Sequence, residues 1–223
     1  MNINLTEIAV VVDRSGSMHE IWTDTLGGLK QFLADQQKLE GEANFNLNVF
    51  DNEFLPLVSR LPIRQVDLEK FEFPPRGNTA LYDAIGRTVS TLAQQIASTK
   101  ETERPAKVVV AIFTDGAENA SSEYNRKRVF ELIQQKETQD GWSFLYMAAG
   151  KEAMIEGEHL GIQSNKRVLY EATGEEAKLA YENLTEVVAS NRASSVNEFR
   201  ASRDTMNLTE SFARKKAAKA KKV

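Results

Sequence analysis

Continuous apolar runs at residues 8–12, 108–113 and 144–149 predict strands buried on both faces of a sheet, the last of them spanning 143–149. Residues 44–49 instead alternate Asn with apolar side chains, which predicts a half-exposed strand. The dipeptide Asp51-Asn52 can turn that strand into a second one at 54–58. The pattern therefore predicts three buried strands and an antiparallel hairpin at one edge of the sheet, and this edge could pair between chains.

Apolar residues spaced by three, four and seven positions predict helices between these strands, within residues 21–33, 79–97 and 174–188. A further helix carries Val129 and Ile133, with Ser121 and Ser122 as its candidate caps. A short helix near 152–159 and a short strand at 168–170 complete the series. Alternating strands and helices predict an α/β fold: a doubly wound, mostly parallel sheet with an antiparallel edge hairpin and helices on both faces.

Composition narrows the chemistry that this fold can carry. The chain of 223 residues has no Cys and only two His, which excludes disulfides and thiolate metal sites and disfavours zinc sites and His-based triads. Oxygen ligands remain, and these bind Mg²⁺, Mn²⁺ or Ca²⁺. No apolar run approaches the roughly 18 residues of a membrane span, and the N-terminus lacks the features of a signal peptide. We therefore expect a cytoplasmic protein without a membrane partner.

Charge is distributed unevenly along the chain. Residues 190–223 carry a net charge of +6 and the remainder −10. We therefore divide the chain into a domain at 1–190 and a basic, partly helical tail at 191–223. The tail can be a solvated helix, or an arm that contacts nucleic acid, an anionic surface or the acidic body of the same chain. No aromatic residue alternates with its lysines, so stacking on bases is not supported.

Polar clusters follow two of the buried strands and precede one of the helices. They supply two carboxylates and three hydroxyls, from Asp13, Ser15, Ser17, Thr79 and Asp115. Because binding sites in doubly wound sheets form at the carboxyl ends of the strands, we expect these side chains to meet. Two carboxylates neutralise a divalent ion while hydroxyls and water complete its shell, and this ligand count suits Mg²⁺ best.

The motif Asp13-x-Ser15-x-Ser17, followed in order by Thr79 and Asp115, resembles the metal-ion-dependent adhesion site of von Willebrand factor A domains. The resemblance extends over roughly the first 190 residues. It implies that Ser15, Ser17 and Thr79 bind the ion through their hydroxyls. Asp13 and Asp115 would bind it directly or through water. In that family an Asp or Glu of a partner protein fills the open coordination position, and the usual function is adhesion or complex assembly.

The absence of a signal and of cysteines makes the chain look like the intracellular bacterial or viral members, some of which work with AAA+ ATPases. The resemblance thus favours a metal-dependent protein-interaction module that is not an enzyme. Three other interpretations remain open. Asp13 and the two serines could merely cap the following helix. The tail could bind nucleic acid. The metal could activate water as in a phosphoesterase, although a basic clamp and a downstream His are missing.

Overall fold

A computed structural model describes residues 1–205 and 207–221 and shows one sheet of six strands in the order β3-β2-β1-β4-β5-β6. Every neighbouring pair is parallel except β2 and β3, which form the antiparallel edge hairpin. This arrangement confirms the predicted fold class. The strands are β1 (Asn2–Asp13), β2 (Glu42–Phe50), β3 (Phe54–Pro62), β4 (Pro105–Thr114), β5 (Ser143–Ala149) and β6 (Arg167–Tyr170).

Helices cover both faces of the sheet. They are α1 (Trp22–Lys38), α2 (Leu81–Ser98), α3 (Arg126–Gln139), α4 (Lys151–His159), α5 (Gly174–Ala193), α6 (Val196–Thr205) and α7 (Leu208–Ala220). A 3₁₀ segment, Gly16–Ile21, leads from β1 into α1. Within the part of the chain that the structure describes, none of the helices combines the length and apolar character needed to cross a bilayer.

Strand β1 lies between β2 and β4 in the middle of the sheet. This position explains why its sequence is apolar at every position from 8 to 12. Ile8, Val10 and Val12 pack into the core beneath α1 and α5. Ala9 and Val11 point the other way, into the core beneath α2, α3 and α4. All five side chains are fully buried, as expected for a strand with helices on both sides.

Helix α3 begins later than the sequence suggests. Its N-cap is Asn125, whose Oδ1 accepts a hydrogen bond from the amide of Arg128 at 3.0 Å. The assignment of Ser121 and Ser122 as caps was therefore wrong. The physical reason is that the buried carboxylate of Asp83 accepts the amide of Ser122 and so holds this segment as a loop against α2.

Residues after 190 continue the fold on the α1 and α5 side. Helix α5 extends to Ala193, and Phe199, Leu208 and Phe212 are buried in the core on this face. On the outer surface, lysines of α7 pair with glutamates of α5, in the pairs Lys215–Glu186, Lys216–Glu176 and Lys219–Glu175. The basic segment thus lies against the acidic body.

The edge strand β3 is irregular in ways that hinder pairing with another chain. It contains Pro56 and ends at Pro62, and its register with β2 shifts twice. Arg60 adopts a positive φ of 47° within it. Prolines, bulges and twisted backbone are common protections of exposed sheet edges.

Candidate metal centre

The candidate site lies where the sheet changes winding direction. Strands β1 and β4 are neighbours, and the chain leaves β1 towards β2 on one side and β4 towards β5 on the other. Connections that diverge in this way open a crevice at the carboxyl ends of the two strands. Asp13 is the last residue of β1, and Asp115 follows directly after β4. The fold therefore brings the two predicted carboxylates to the same crevice.

Asp13 is fully buried and held by two hydrogen bonds. Its Oδ1 accepts the amide of Ser15 at 2.7 Å, and its Oδ2 accepts the hydroxyl of Thr114 at 2.6 Å. The first bond is a local turn set by sequence spacing, whereas the second joins β1 to β4. Both bonds fix the carboxylate at the base of the crevice.

The predicted hydroxyl groups lie beside these carboxylates. The Oγ atoms of Ser15 and Ser17 are 3.1 Å apart, and Ser17 donates to Oδ1 of Asp115 at 2.8 Å. A Cβ placed on Gly116 would lie 3.3 Å from Oγ1 of Thr79 and 3.8 Å from Oγ of Ser17. Thr79 and Ser17 therefore border one small space next to Gly116, and that space exists because residue 116 has no side chain.

Three loops that carry these residues are tied together by their backbones. They are the serine loop (13–18), the threonine loop (76–80) and the aspartate loop (115–119). Gly16 donates to the carbonyl of Gly77 at 3.0 Å, which joins the first two. Thr79 donates its amide to Oδ1 of Asn119 at 2.9 Å, and the amide of Asn119 donates back to the carbonyl of Thr79 at 3.0 Å. The structure thus brings all five predicted residues into one cluster at the edge of the sheet.

The electrostatics of the cluster favour a cation. Burial raises the pKa of Asp13 to about 7, and the neighbouring charge of Asp115 adds to the rise, while the hydrogen bond from Thr114 partly offsets it. Burial also raises the pKa of Asp115. A divalent ion would reverse both shifts, because it stabilises the charged form of each carboxylate.

The donor set is oxygen only, with no soft ligand. Across residues 1–205 and 207–221 no three His, Asp or Glu side chains gather into a metal-binding group. A site built here would therefore use two carboxylates and complete its shell with hydroxyls and water. These residues fit Mg²⁺ or Mn²⁺, which bind through few carboxylates and retain water.

Two acidic residues, Glu118 and Asp83, support the loops by accepting backbone amides that the sequence does not identify. Glu118 accepts the amides of Tyr82, Ala120 and Ser121. Asp83 accepts three successive amides, those of residues 122–124. From the sequence alone, Glu118 is expected to shape the rim of the site, and Asp83 to lie either on a helix surface or behind the metal ligands. No local signal marks these roles, because the amide of Tyr82 and those of residues 122–124 lie 36 to 41 positions from the carboxylates that accept them.

The surroundings of the site include an aromatic pair. His19 is exposed just beyond Ser17, and Trp22 is half-buried at the start of α1. The Trp22 ring packs edge-on against buried Phe73, with centroids 5.5 Å apart. Trp22 therefore packs against the segment that precedes the threonine loop, in the edge-to-face geometry that aromatic pairs favour.

Comparison with solved structures identifies the fold. The chain is similar to proximal thread matrix protein 1 of the mussel byssus, with 14% identity and a TM-score of 0.61 over 83% of this chain and 46% of that one. It is also similar to the manganese-loaded TRAP protein of Plasmodium vivax, with 17% identity and a TM-score of 0.56 over 77% and 70% of the chains. The ArnB paralog VWA2 of Sulfolobus acidocaldarius matches with 15% identity and a TM-score of 0.53 over 82% and 45%.

The chain has a von Willebrand factor A fold. At these identities the likeness concerns the fold alone. No protein-family model matches the sequence, and no curated protein matches it either. The chain spans less than half the length of the byssus protein and of the Sulfolobus protein.

Proposed function

We propose that the chain is a protein-interaction module that binds a divalent cation, with Mg²⁺ as the first candidate. Asp13, Asp115 and the hydroxyls of Ser15, Ser17 and Thr79 would hold the ion. A bound ion would supply a Lewis-acidic position that an Asp or Glu of a partner protein can fill. An AAA+ ATPase is one class of partner that the sequence resemblance suggests.

The observation that carries this proposal is the convergence of the serine, threonine and aspartate loops. Hydrogen bonds of 2.6 Å to Asp13 and 2.8 Å to Asp115 hold the two carboxylates at one crevice. Carboxylates that are partly desolvated side by side are unfavourable without a cation. The TRAP structure, which shares this fold, is manganese-loaded. That state supports a divalent cation as the ligand of this site.

The partner's contribution follows from the charge of the donor set. Two carboxylates balance a divalent ion, and the hydroxyls add no charge. A site with no surplus negative charge accepts one more carboxylate from outside. Ser17 is exposed, whereas Asp13, Ser15 and Thr79 are buried, so the ion would be approached from the Ser17 side.

The alternatives receive less support. Lys215, Lys216 and Lys219 in the basic tail are paired with glutamates of α5, so contact with nucleic acid would require these ion pairs to break. Phosphoester hydrolysis would need a general base and a phosphate clamp. An assay for Mg²⁺- or Mn²⁺-dependent hydrolysis of a generic phosphoester, with Asp115→Ala as control, tests that reaction directly.

The proposal is tested by protein capture from a host lysate. The baits are wild type with Mg²⁺, wild type with EDTA, and Ser15→Ala with Mg²⁺. We expect at least one protein to bind the first bait alone. Once it is purified, replacing its exposed Asp and Glu residues one at a time should identify a single carboxylate that is essential for binding. Capture of the same set of proteins by all three baits would contradict metal-bridged recognition.

A further inference from the structure

The β2–β3 turn (51–53) contacts the loops of the candidate metal centre. Asp51 at its start is only 1% exposed. Its Oδ2 lies 3.0 Å from Nη2 of Arg14 and accepts a hydrogen bond from Nε of Arg76 at 2.8 Å. Its backbone carbonyl accepts the amide of Ala80 at 3.1 Å. One buried residue thus contacts the serine loop and both ends of the threonine loop.

Other bonds fix the same arrangement. The amide of Arg76 donates to the carbonyl of Arg14 at 2.8 Å, so the serine and threonine loops meet directly beside Asp51. Asn52 accepts the amide of Asn78 at 2.6 Å. Its Oδ1 would lie closer to a Cβ on Gly77 than van der Waals contact allows, and Gly77 has a positive φ of 68°. The threonine loop is therefore shaped to fit against this turn.

From these contacts we propose that Arg76 and Asp51 are positioning residues that hold Thr79 where it can bind the cation. The inference rests on the proposed function, because it needs a metal to bind. Neither residue would touch the ion. Their ion pair would act through the threonine loop, as residues that support metal ligands commonly do.

The charge of Arg76 makes the proposal testable, because two effects have opposite signs. If the guanidinium acted on the site only through its charge, removing it would tighten cation binding, since like charges repel. If it positions Thr79, removing it weakens cation binding. Arg76 is half exposed, at 51%, and buried Asp51 still has Arg14 at 3.0 Å when Arg76 is replaced, so the change leaves no buried unpaired carboxylate.

The experiment is calorimetric titration of Mg²⁺ into wild type, Arg76→Gln, Thr79→Ala and the double variant. We expect Arg76→Gln to weaken binding about tenfold, which is within the usual range for residues that support metal ligands. In the Thr79→Ala background the same substitution should change affinity by less than about twofold, because a residue that acts only through Thr79 has nothing left to position. Unfolding temperatures in EDTA establish that the variants are folded.

Arg87→Gln is the matched control. Arg76 pairs with the carboxylates of Asp51 and Glu53, and Arg87 pairs with that of Glu123. The side chain of Arg87 is 43% exposed, and its ion pair joins α2 to residue 123 rather than to the threonine loop. We expect it to bind Mg²⁺ as wild type does. Unchanged or tighter binding by Arg76→Gln overturns the inference, as does an equal loss in both backgrounds. Failure of wild type to bind Mg²⁺ overturns the proposed function, and the inference with it.

Discussion

At the residue scale, the candidate site combines features that sequence can and cannot reveal. The order Asp13, Ser15, Ser17, Thr79 and Asp115 was readable, because each residue follows a predicted strand or precedes a predicted helix. The hydrogen-bond partners of these residues could not be predicted from the sequence. The hydroxyl of Thr114 that holds Asp13 comes from a strand 101 positions away, and only the register of the sheet places it there. That the five residues bind a metal stays a prediction.

The raised pKa of Asp13 should make the free energy of unfolding of the metal-free protein depend on pH. This pKa is about 7 in the folded chain and 3.8 in its ordinary state, so between these values only the folded form holds the proton. The free energy of unfolding should therefore fall as pH rises, by about 2 kcal/mol between pH 5 and 7. Urea denaturation in EDTA at several pH values measures this change.

Asp13→Asn is the control for that titration, because it removes the proton-binding group while keeping its size. The slope of the free energy of unfolding against pH in wild type, minus the slope in the variant, gives the contribution of Asp13. An equal pH dependence in both proteins would contradict the assigned pKa. Since Mg²⁺ needs the charged carboxylate, its affinity for wild type should also decrease as pH falls below about 7.

Gly116 should be required for the space beside Thr79. A methyl group there would lie 3.3 Å from Oγ1 of Thr79, so Gly116→Ala should displace that hydroxyl and weaken Mg²⁺ binding about tenfold. Calorimetric titration measures the effect. Gly27→Ala is the matched control, because a Cβ at Gly27 meets no atom within 4 Å. If Gly116→Ala binds Mg²⁺ as tightly as Gly27→Ala does, Thr79 does not contact the ion.

At the scale of elements, the adjacent glycines of α1 show that a helical pattern does not identify the element packed against it. Two adjacent glycines inside a helical pattern, Gly27 and Gly28, would be explained by close packing of the helix against the sheet. The structure places only Gly28 in close contact, and the neighbour is Tyr181 of α5 rather than a strand. The ring of Tyr181 in turn stacks on Phe113 of β4, with centroids 4.0 Å apart. Helical periodicity predicts a buried face, but not which element covers it.

Substituting these two glycines separately should have opposite effects. Gly27→Ala should raise the free energy of unfolding by about 0.5–1 kcal/mol, since Ala is the better helix former and the position is open. Gly28→Ala should lower it by about 1–3 kcal/mol, because the new Cβ would lie 2.5 Å from Cδ2 of Tyr181. Chemical denaturation in EDTA measures both. Stabilisation by Gly28→Ala would show that α1 and α5 are not packed as described.

The order of strands and helices was well predicted, and their ends less so. Strand β5 covers the predicted residues 143–149 because the apolar run 144–149 is continuous and has polar residues or glycine on either side. The start of α3 was missed because several residues before it could cap a helix. Asn125 is the N-cap of α3 because the amides of residues 122–124 are already bound by Asp83, which lies on α2. Tertiary contacts of this kind leave no local signal.

At the scale of the whole molecule, the uneven charge of the sequence contributes ion pairs between the C-terminal segment and α5. The basic C-terminal segment lies along α5 with its lysines on glutamates, and apolar anchors lie beneath it. The division at residues 190 and 191 stays a prediction, as do the cytoplasmic location and the expected absence of catalysis. The composition shows the uneven charge of the chain. It does not predict a buried face after residue 190, because Phe199 and Phe212 are isolated among polar residues in the sequence.

The C-terminal helix should contribute to global stability through packing more than through charge. Phe212 is only 5% exposed, so Phe212→Ala should lower the free energy of unfolding by about 3 kcal/mol. Lys216→Gln, which breaks a surface ion pair, should lower it by less than about 1 kcal/mol. Urea denaturation compares the two variants. Equal stability of wild type and Phe212→Ala would mean that α7 is detached in solution.

Calorimetric titration of Mg²⁺ into wild type and into Ser17→Ala tests the central claim most directly. Ser17 is exposed and joins the serine loop to Asp115 through its hydroxyl, so its loss should affect the ion more than the fold. We expect wild type to bind one ion and the variant to bind it at least about tenfold more weakly, with equal unfolding temperatures in EDTA. Absence of binding by wild type, or equal binding by both proteins, would contradict a metal centre at this crevice.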